Sequence, residues 1–240
     1  MNEIKEIKQI IENGKRIAIF TGAGISVPSG IPDFRSADGL YNQKSGLNIK
    51  PEEIISHSFF LKNTDDFFKF YKTKMVYQNA LPNMAHKYFA SLETPGRMVT
   101  VITQNIDGLH SDAGSSIVLE LHGSIRRNHC MNCRKNYTLE DIMKDDKTPY
   151  CSCGGIIKPD VTLYEEDLDY SVLYSAINSI IEADVLIIVG TSLVVNPAAS
   201  LIRYFKGDNL IIINKEKTPK DYLAKYVIND DIINVVNKLI

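Results

Sequence analysis

The chain has 240 residues, of which 44% are hydrophobic and 23% are charged, and its formal net charge is −2. These proportions are ordinary for a folded globular protein, and the length suits one large domain or one large and one small domain. A charge balance this close to zero does not favour a general electrostatic grip on nucleic acid, so we predict no sequence-specific nucleic-acid binding.

No apolar run has the length needed to span a bilayer, and the longest, at 185–189, reads as a buried strand. The N-terminal stretch at 1–13 is charged and helix-like, and it lacks the apolar core of a signal peptide. We therefore predict a cytoplasmic protein without a membrane partner. The sequence does not give the oligomeric state, and we favour a monomer.

Helix-like stretches alternate along the chain with short runs rich in Val, Ile and Leu. Most of these runs are continuously apolar, which is typical of strands buried on both faces of a parallel sheet. The alternation predicts a doubly wound, Rossmann-like α/β fold. The predicted strands are 16–20, 98–103, 117–121, 185–190, 210–214 and 226–228, and the predicted helices are 4–13, 82–92, 172–183, 197–205 and 231–239.

Two segments interrupt this alternation. Residues 34–80 read as a loop followed by aromatic-rich helix, and residues 124–160 carry all four cysteines. We predict that this helical insertion and this zinc-ribbon-like insertion pack together as a small domain. The large domain then comprises 1–33, 81–123 and 161–240.

The cysteines form two tight pairs, Cys130 with Cys133 and Cys151 with Cys153, separated by seventeen residues. In a reducing compartment, tight pairs indicate metal ligands more readily than disulfides. Four thiolates close a tetrahedral zinc site and leave no place for water, so we predict one structural Zn²⁺. Free or disulfide-bonded cysteines are the alternative.

A glycine-rich loop follows the first strand. Gly22 and Gly24 lie where backbone amides approach a pyrophosphate in dinucleotide-binding folds, but the third position of that fingerprint is Val27. The incomplete match leaves a tight strand-to-helix turn as an alternative. The loop at 28–36 is punctuated by Pro and Gly, so we expect it to be mobile and to close over a ligand.

Polar side chains follow several predicted strands. Gln104, Asn105 and Asp107 follow the second strand, and His122 follows the third, directly before a glycine. Ligands bind beyond the carboxyl ends of parallel strands, so these groups converge on one edge. His122 has the pKa range of a general base near neutral pH, and His110 is the weaker competitor.

These segments together resemble the sirtuin family over nearly the whole chain, from about residue 10 to the end. The matching motifs are 22–26, 30–35, 103–110, 121–123, the paired cysteines, 190–195 and 213–214. The resemblance implies an NAD-dependent protein-lysine deacylase with NAD between the two domains. It implies His122, Asn105 and Asp107 as catalytic residues. It implies NAD contacts from Gly22, Ala23, Gly24, Val27, Asp33, Phe34, Arg35, Gln104, Asn105, Ile106, Asp107, His122, Gly190, Thr191, Ser192, Asn214, Lys215 and Ile232.

The implied reaction consumes NAD as a co-substrate. The acyl-lysine oxygen attacks C1′ of the nicotinamide ribose, nicotinamide leaves, and His122 takes a proton from a ribose hydroxyl. The products are free lysine, nicotinamide and 2′-O-acyl-ADP-ribose. The acyl-lysine peptide is expected to add as a strand between 161–164 and 193–196, with Val161, Thr162, Tyr164 and Val195 as contacts.

Two departures from the family concern the acyl-lysine site. Glu165 stands where the family usually has glycine, and Tyr71 and Lys74 form Tyr-x-x-Lys where desuccinylating members carry Tyr-x-x-Arg. Lysine supplies charge without a two-pronged grip on a carboxylate, so we predict acetyl or another neutral acyl group as the main substrate. An equally supported alternative is that Tyr71 simply packs in the interior and Lys74 is solvated.

Four alternative functions can be compared with this sequence. A deacylase for succinyl or longer chains and a protein ADP-ribosyltransferase use the same scaffold. A nicotinamide-dependent oxidoreductase needs the complete glycine fingerprint and an acidic ribose ligand, which this chain lacks. A non-catalytic zinc module does not explain why polar side chains follow several predicted strands.

Overall fold

The computed structural model describes residues 2–42 and 49–240, so the part of the helical insertion at 43–48 lies outside it. The helices are α1 Asn2–Asn13, α2 Pro51–Ile54, α3 His57–Lys62, α4 Thr64–Phe70, α5 Met84–Ser91, α6 Leu109–Asp112, α7 Leu139–Ile142, α8 Tyr170–Glu182 and α9 Ile232–Leu239. The strands are β1 Arg16–Thr21, β2 Met98–Thr103, β3 Val118–Glu120, β4 Gly123–Cys130, β5 Asn136–Tyr137, β6 Ile157–Val161, β7 Val185–Val189, β8 Asn209–Ile213 and β9 Tyr226–Ile228.

The larger sheet has six parallel strands in the order β3-β2-β1-β7-β8-β9. Counted within the sheet, this is the 3-2-1-4-5-6 order of dinucleotide-binding folds. Successive strands extend the sheet to one side from β1 to β3 and to the other side from β7 to β9. The carboxyl ends of β1 and β7 therefore frame a crevice where the strand order switches. The predicted doubly wound α/β fold is confirmed.

Alternate residues of β1 face the two sides of the sheet. Ile17 and Ile19 join a core made with α1, α5 and α9, whereas Ala18 and Phe20 join a core made with α8. The second core also contains the 3₁₀ helix Ala198–Tyr204, which takes the place of the helix predicted at 197–205. Both faces of the central strands are therefore covered, which explains their unbroken apolar sequences.

A second, antiparallel sheet has the order β5-β4-β6 and packs with α2, α3 and α4. Their shared core brings Phe60, Phe67 and Tyr71 of the helical insertion against Ile125 and Ile157 of the cysteine-bearing segment. Phe60 and Phe67 pack edge to face with ring centroids 4.9 Å apart. The two insertions thus bury one common apolar cluster, although their exact boundaries stay a prediction.

The buried amine of Lys72 adds a polar link between the two insertions. Its Nζ donates to the carbonyls of Asp145 at 2.7 Å and Lys147 at 2.6 Å. Burial lowers the pKa of Lys72, and the charges of Asp145 and Asp146 oppose that shift.

Within the described ranges, 2–42 and 49–240, no helix is long and apolar enough to pass through a bilayer.

Candidate active site and metal centre

The loops that follow β1 and β7 touch through their glycines. The Gly24 N–H donates to the Gly190 carbonyl at 2.8 Å. A Cβ on Gly24 would lie 2.8 Å from the Gly190 Cα, and one on Gly190, whose φ is +59°, would lie 2.4 Å from the Ile25 nitrogen. Both positions need glycine for this approach alone. Close packing between the two loops therefore explains these glycines without reference to a ligand.

Asn105 and Asp107 reach back to the glycine-rich loop. Both amide protons of Asn105 are committed, because Nδ2 donates to the Gly22 carbonyl at 3.2 Å and to Ser26 Oγ at 3.1 Å. The Ser26 hydroxyl donates to Asp107 Oδ2 at 2.7 Å, and the Leu109 N–H donates to Oδ1 at 2.9 Å. The remaining acceptor of the Asn105 side chain is Oδ1. Ser26, to which sequence analysis assigned no role, joins the two motifs.

Burial raises the pKa of Asp107. The hydrogen bonds from Leu109 and Ser26 and the charge of Arg126 oppose that shift. Arg126 is itself held by both oxygens of Asp112. Because two donors point at the Asp107 carboxyl, they favour its ionised form.

His122 lies in the turn between β3 and β4 and is half-buried. Its Nδ1 lies 2.9 Å from the Gln104 carbonyl oxygen, and a carbonyl only accepts hydrogen bonds, so Nδ1 carries the proton. Nε2 then keeps its lone pair. Burial lowers the pKa of His122, while the bond to Gln104 raises it. The ring is therefore neutral near pH 7 and has the form of a general base.

Gly123 holds His122 beside the predicted substrate strand. Its φ is +74°, and a Cβ there would lie 1.8 Å from the Asp160 carbonyl oxygen. Gly123 pairs with Val161, and the Thr162 N–H donates to the His122 carbonyl at 3.0 Å. Only glycine allows β4 and β6 to pair this closely next to His122.

Four predicted NAD contacts besides Gly190 follow the neighbouring strands β7 and β8. Thr191 Oγ1 is buried and accepts from Gln104 Nε2 at 3.0 Å, which ties this end to the residue that orients His122. Asn214 Nδ2 donates to the Glu216 carbonyl at 2.7 Å. Ser192 is half-buried, Lys215 is exposed, and Ile232 packs in the sheet core. The structure thus brings these four strand-end residues to one edge of the sheet, whereas Ile232 is buried in the core.

The loop at 28–36 lies against Tyr41. Asp33 Oδ1 accepts from the N–H groups of Arg35 at 3.1 Å and Ser36 at 2.9 Å, which shapes the turn. The Phe34 ring lies 5.4 Å from the Tyr41 ring, and the Arg35 guanidinium lies 5.3 Å above it. Ala23 is half-buried and Val27 is exposed. The predicted NAD contacts Phe34 and Arg35 are therefore placed around one aromatic ring.

The predicted substrate strand connects to this loop and to the helical insertion. Tyr41 and Tyr164 join through their hydroxyls at 2.7 Å. Glu165 has a left-handed φ of +74°, and its carboxylate accepts from the N–H of Ser58 at 2.8 Å and the hydroxyl of Ser58 at 3.0 Å. The left-handed backbone explains why glycine suits this position. In this chain the two hydrogen bonds offset the strain.

Tyr71 belongs to the small-domain core. Its side chain is completely buried and stacks on Phe67, with centroids 5.8 Å apart and planes 10° apart. Among the described residues, its hydroxyl has no hydrogen-bond partner. Burial raises the pKa of Tyr71, and the charge of Asp160 adds to that shift.

Three further predicted site residues are partly buried. Lys74 lies on the π-helical turn Tyr71–Met75, and Ile106 packs against the small-domain core. Val195 is half-buried.

The four cysteine sulfurs gather at one point and lie within 4.8 Å of one another. Cys130 Sγ and Cys153 Sγ are 3.5 Å apart, and Cys133 Sγ and Cys151 Sγ are 3.6 Å apart. The edge of a zinc–thiolate tetrahedron is about 3.8 Å, from Zn–S bonds of about 2.3 Å. The donor set therefore fits a zinc ion with no open coordination position.

Backbone donors favour the thiolate form of two of these sulfurs. The Cys133 N–H donates to Cys130 Sγ at 3.4 Å, and the Cys153 N–H donates to Cys151 Sγ at 3.5 Å. These bonds lower the pKa of the Cys130 and Cys151 thiols. Such turns are typical of structural zinc sites, where the metal holds together a segment with little core of its own.

Comparison with known proteins places this geometry in a family. The Sir2 family model matches residues 22–197. An NAD-dependent protein deacetylase of Clostridium acetobutylicum is 51% identical over 242 residues, which covers 100% of this chain and 99% of that protein.

Two solved Sir2 structures share the fold. One, with a deacetylated p53 peptide and 3′-O-acetyl ADP ribose, is 36% identical with a TM-score of 0.89, over 98% of this chain and 96% of that one. The other, with a p53 peptide and NAD⁺, is 37% identical with a TM-score of 0.84, over the same shares of 98% and 96%. The resemblance found in the motifs is confirmed, and this chain belongs to the Sir2 family.

Proposed function

We propose that this protein is an NAD-dependent protein-lysine deacetylase, which transfers an acetyl group from lysine to ADP-ribose and releases nicotinamide. The observation that carries the proposal is the neutral His122, whose Nδ1–H is held by Gln104 and whose Nε2 stays free. This base lies directly beside the strand expected to bind the peptide. Relatives that are half identical over their full length carry the same named activity.

NAD supplies the electrophilic ribose carbon and the nicotinamide leaving group. We assign its diphosphate to the loop around Gly22 and Gly24, and its adenosine to the ends of β7 and β8. We assign nicotinamide to the pocket of Asn105 and Asp107. The fit rests on this chain's geometry: Asn105 retains Oδ1 as an acceptor, and the β1 and β7 loops open at the crevice where such folds bind dinucleotides.

His122 accepts the proton of a ribose hydroxyl at Nε2, which turns that oxygen into a nucleophile. The Gln104 carbonyl stabilises the imidazolium that forms, because its bond to Nδ1–H strengthens when the ring is charged. Phe34 of the loop at 28–36 packs against Tyr41, and we assign this aromatic pair the role of limiting the access of water to the site.

The peptide substrate binds as an added strand against 161–164 and 193–196. Main-chain hydrogen bonds provide affinity with little dependence on peptide sequence. Val161 is buried in β6, and Thr162 donates its N–H to the carbonyl of the base residue. Tyr164 and Val195 complete the proposed contacts. An acyl-lysine held here lies close to His122.

Zinc has a structural role in this proposal and takes part in no chemical step. It holds the knuckle that follows β4 to the one that precedes β6, and β6 leads into the substrate strand. Thiolate ligation also favours a reducing compartment, which supports the proposed cytoplasmic location. A monomer stays our prediction for the oligomeric state.

Acetyl is the proposed acyl group. Tyr71 is fully buried in an aromatic core, so the Tyr-x-x-Lys pair does not present two polar groups on an open surface. A deacylase for succinyl or longer chains and a protein ADP-ribosyltransferase remain the alternative functions on this scaffold.

A panel of lysine-acylated peptides separates these functions. Acetyl, propionyl, succinyl and myristoyl peptides of one sequence are incubated with NAD, and acyl loss is followed by mass. Protein treated with labelled NAD is analysed in parallel for bound ADP-ribose. We expect the highest kcat/KM for acetyl and no label on protein. Faster removal of succinyl or myristoyl, or label without acyl loss, would overturn the acetyl assignment.

A further inference from the structure

Two buried histidines lie behind the proposed nicotinamide pocket without a part in the reaction described above. His86 is 0% exposed and His110 is 1% exposed, and their rings pack edge to face with centroids 4.8 Å apart. In the described structure His86 Nε2 and His110 Nδ1 have no hydrogen-bond partner. Buried polar atoms that stay unsatisfied are costly, so this pair calls for a physical reason.

The neighbours of each ring define where its proton lies. The Asn83 N–H donates to His86 Nδ1 at 3.3 Å, so Nδ1 is an acceptor and the proton of the neutral ring is on Nε2. The Thr21 hydroxyl donates to Thr103 Oγ1 at 2.8 Å, so it can only accept from His110 Nε2 at 3.0 Å. His110 therefore carries its proton on Nε2 and leaves Nδ1 as an acceptor.

The two unsatisfied atoms are consequently complementary. His86 Nε2 is a donor and His110 Nδ1 is an acceptor, in adjacent rings. A water molecule placed between them would satisfy both. Burial lowers the pKa of His86 to about 4 and that of His110 to about 3, and the proximity of His86 adds to the shift of His110. Both rings are thus neutral at physiological pH.

The chain of donors ends at the nicotinamide pocket. Thr103 Oγ1 accepts from the Thr21 hydroxyl and also from the Asn105 N–H at 3.0 Å. From His110 the protons therefore point through Thr21 to Thr103 Oγ1, and the Asn105 N–H donates to that same oxygen. The peptide group of Asn105 is fixed at the end of this chain, while its side chain is fixed separately by Gly22 and Ser26.

We propose that His110 is a positioning residue for Asn105 in the nicotinamide pocket, acting through Thr21 and Thr103, and that a water molecule joins it to His86 in a buried, uncharged hydrogen-bond relay. The relay rests on the proposed function only in assigning nicotinamide to that pocket. Its effect falls on NAD and nicotinamide and leaves the peptide site unchanged, because the substrate strand at 161–164 is held by other contacts.

Three substitutions test the relay. His110→Leu removes the donor, Thr21→Val removes the hydroxyl that receives it, and His110→Gln retains an N–H at a similar reach. Val99→Ala is the matched control, because it removes buried methyl groups from β2 and no hydrogen bond. NAD affinity is measured by calorimetry, and the KM values for NAD and for an acetyl peptide are measured separately.

We expect His110→Leu and Thr21→Val to weaken NAD binding and raise the KM for NAD about two- to tenfold, as for one lost hydrogen bond. The KM for peptide should stay within about twofold, and His110→Gln should recover most of the NAD affinity. Equal changes in both KM values, or a change matched by Val99→Ala, would show a purely structural role and overturn the proposal.

NMR spectra of ¹⁵N-histidine-labelled wild-type protein give an independent readout if a variant fails to fold. Both rings are expected to be neutral near pH 7 with the proton on Nε2. A charged ring, or a proton on Nδ1 of His110, would refute the relay. Neither this spectrum nor the calorimetry depends on deacetylation, so loss of the proposed function and loss of the relay are distinguishable.

Discussion

The side chain of His122 is oriented by a main-chain atom of Gln104. The Nδ1–O distance is 2.9 Å, and the bond leaves Nε2 as the only basic atom of the ring. A backbone carbonyl cannot be changed by substitution at residue 104, so the tautomer is set by the fold at the end of β2. The side chain of Gln104 points instead to Thr191.

The pH profile of deacetylation should reflect the lowered pKa of His122. Only the neutral ring accepts a proton, so kcat/KM falls as the pH drops through this pKa. Because burial lowers it, we expect the acidic limb below the ordinary histidine value of about 6.5. The profile of kcat/KM against pH checks this, and an acidic limb above that value would contradict the assigned environment.

Loss of one zinc ligand should disorder the small domain. Cys151→Ser removes a thiolate from a closed four-sulfur site, so we expect the zinc content to fall from about one ion per chain to near zero. Faster proteolysis within 124–160 should accompany this loss. Metal analysis checks the prediction, with Ser152→Ala as the neighbouring control. Full activity after complete zinc removal would rule out the structural role.

Gly123→Ala should be far more harmful than Gly114→Ala. Both glycines have positive φ, +74° and +99°, so both variants carry a backbone cost of about 1–2 kcal/mol. Only at Gly123 does the new Cβ collide with the Asp160 carbonyl, whereas nothing lies within 4 Å of it at Gly114. The free energy of unfolding and kcat/KM should both drop more for Gly123→Ala. Similar losses in the two variants would be inconsistent with this steric explanation.

At position 165 glycine should be less destabilising than alanine, which is the reverse of the usual order of stability. Glu165→Ala and Glu165→Gly both lose the two hydrogen bonds to Ser58. Only glycine relieves the left-handed backbone, so Glu165→Gly should be about 1 kcal/mol more stable than Glu165→Ala. Urea denaturation of the two variants measures this difference. Greater stability of the alanine variant would indicate that the backbone at 165 is not left-handed.

Lys74 should affect acidic acyl groups selectively. We expect Lys74→Ala to lower the kcat/KM for a succinyl peptide and to leave that for an acetyl peptide unchanged. Lys74→Arg should raise succinyl removal roughly tenfold, because a guanidinium binds a carboxylate with two hydrogen bonds. Parallel assays on the two peptides check this. An equal effect on both would assign Lys74 a structural role.

The sequence patterns predicted the parallel α/β fold because its signals are local. The unbroken apolar runs of β1 and β7 indicate strands covered on both faces, and the structure has them at the centre of the sheet. His122 could be singled out because it follows a strand and precedes a glycine. The paired cysteines could likewise be predicted as zinc ligands, because their close spacing is visible in the sequence.

Other features depend on contacts between distant parts of the chain. Ser58 meets Glu165 across 107 positions, and Ser26 meets Asp107 across 81 positions. His86 and His110 pack together although they belong to different helices. No local periodicity encodes these pairs, since they depend on how the insertions and helices pack. The burial of Tyr71 could not be predicted from the sequence for the same reason.

The central claim is tested most directly by the mass of an acetyl-lysine peptide incubated with the protein, with and without NAD, beside His122→Ala. We predict acetyl loss only with NAD, matched by equal amounts of nicotinamide and O-acetyl-ADP-ribose. Removing the base should lower the rate by about 10²–10⁴-fold. Acetyl loss without NAD, no acetyl loss with it, or an undiminished rate in the His122→Ala variant would contradict the account.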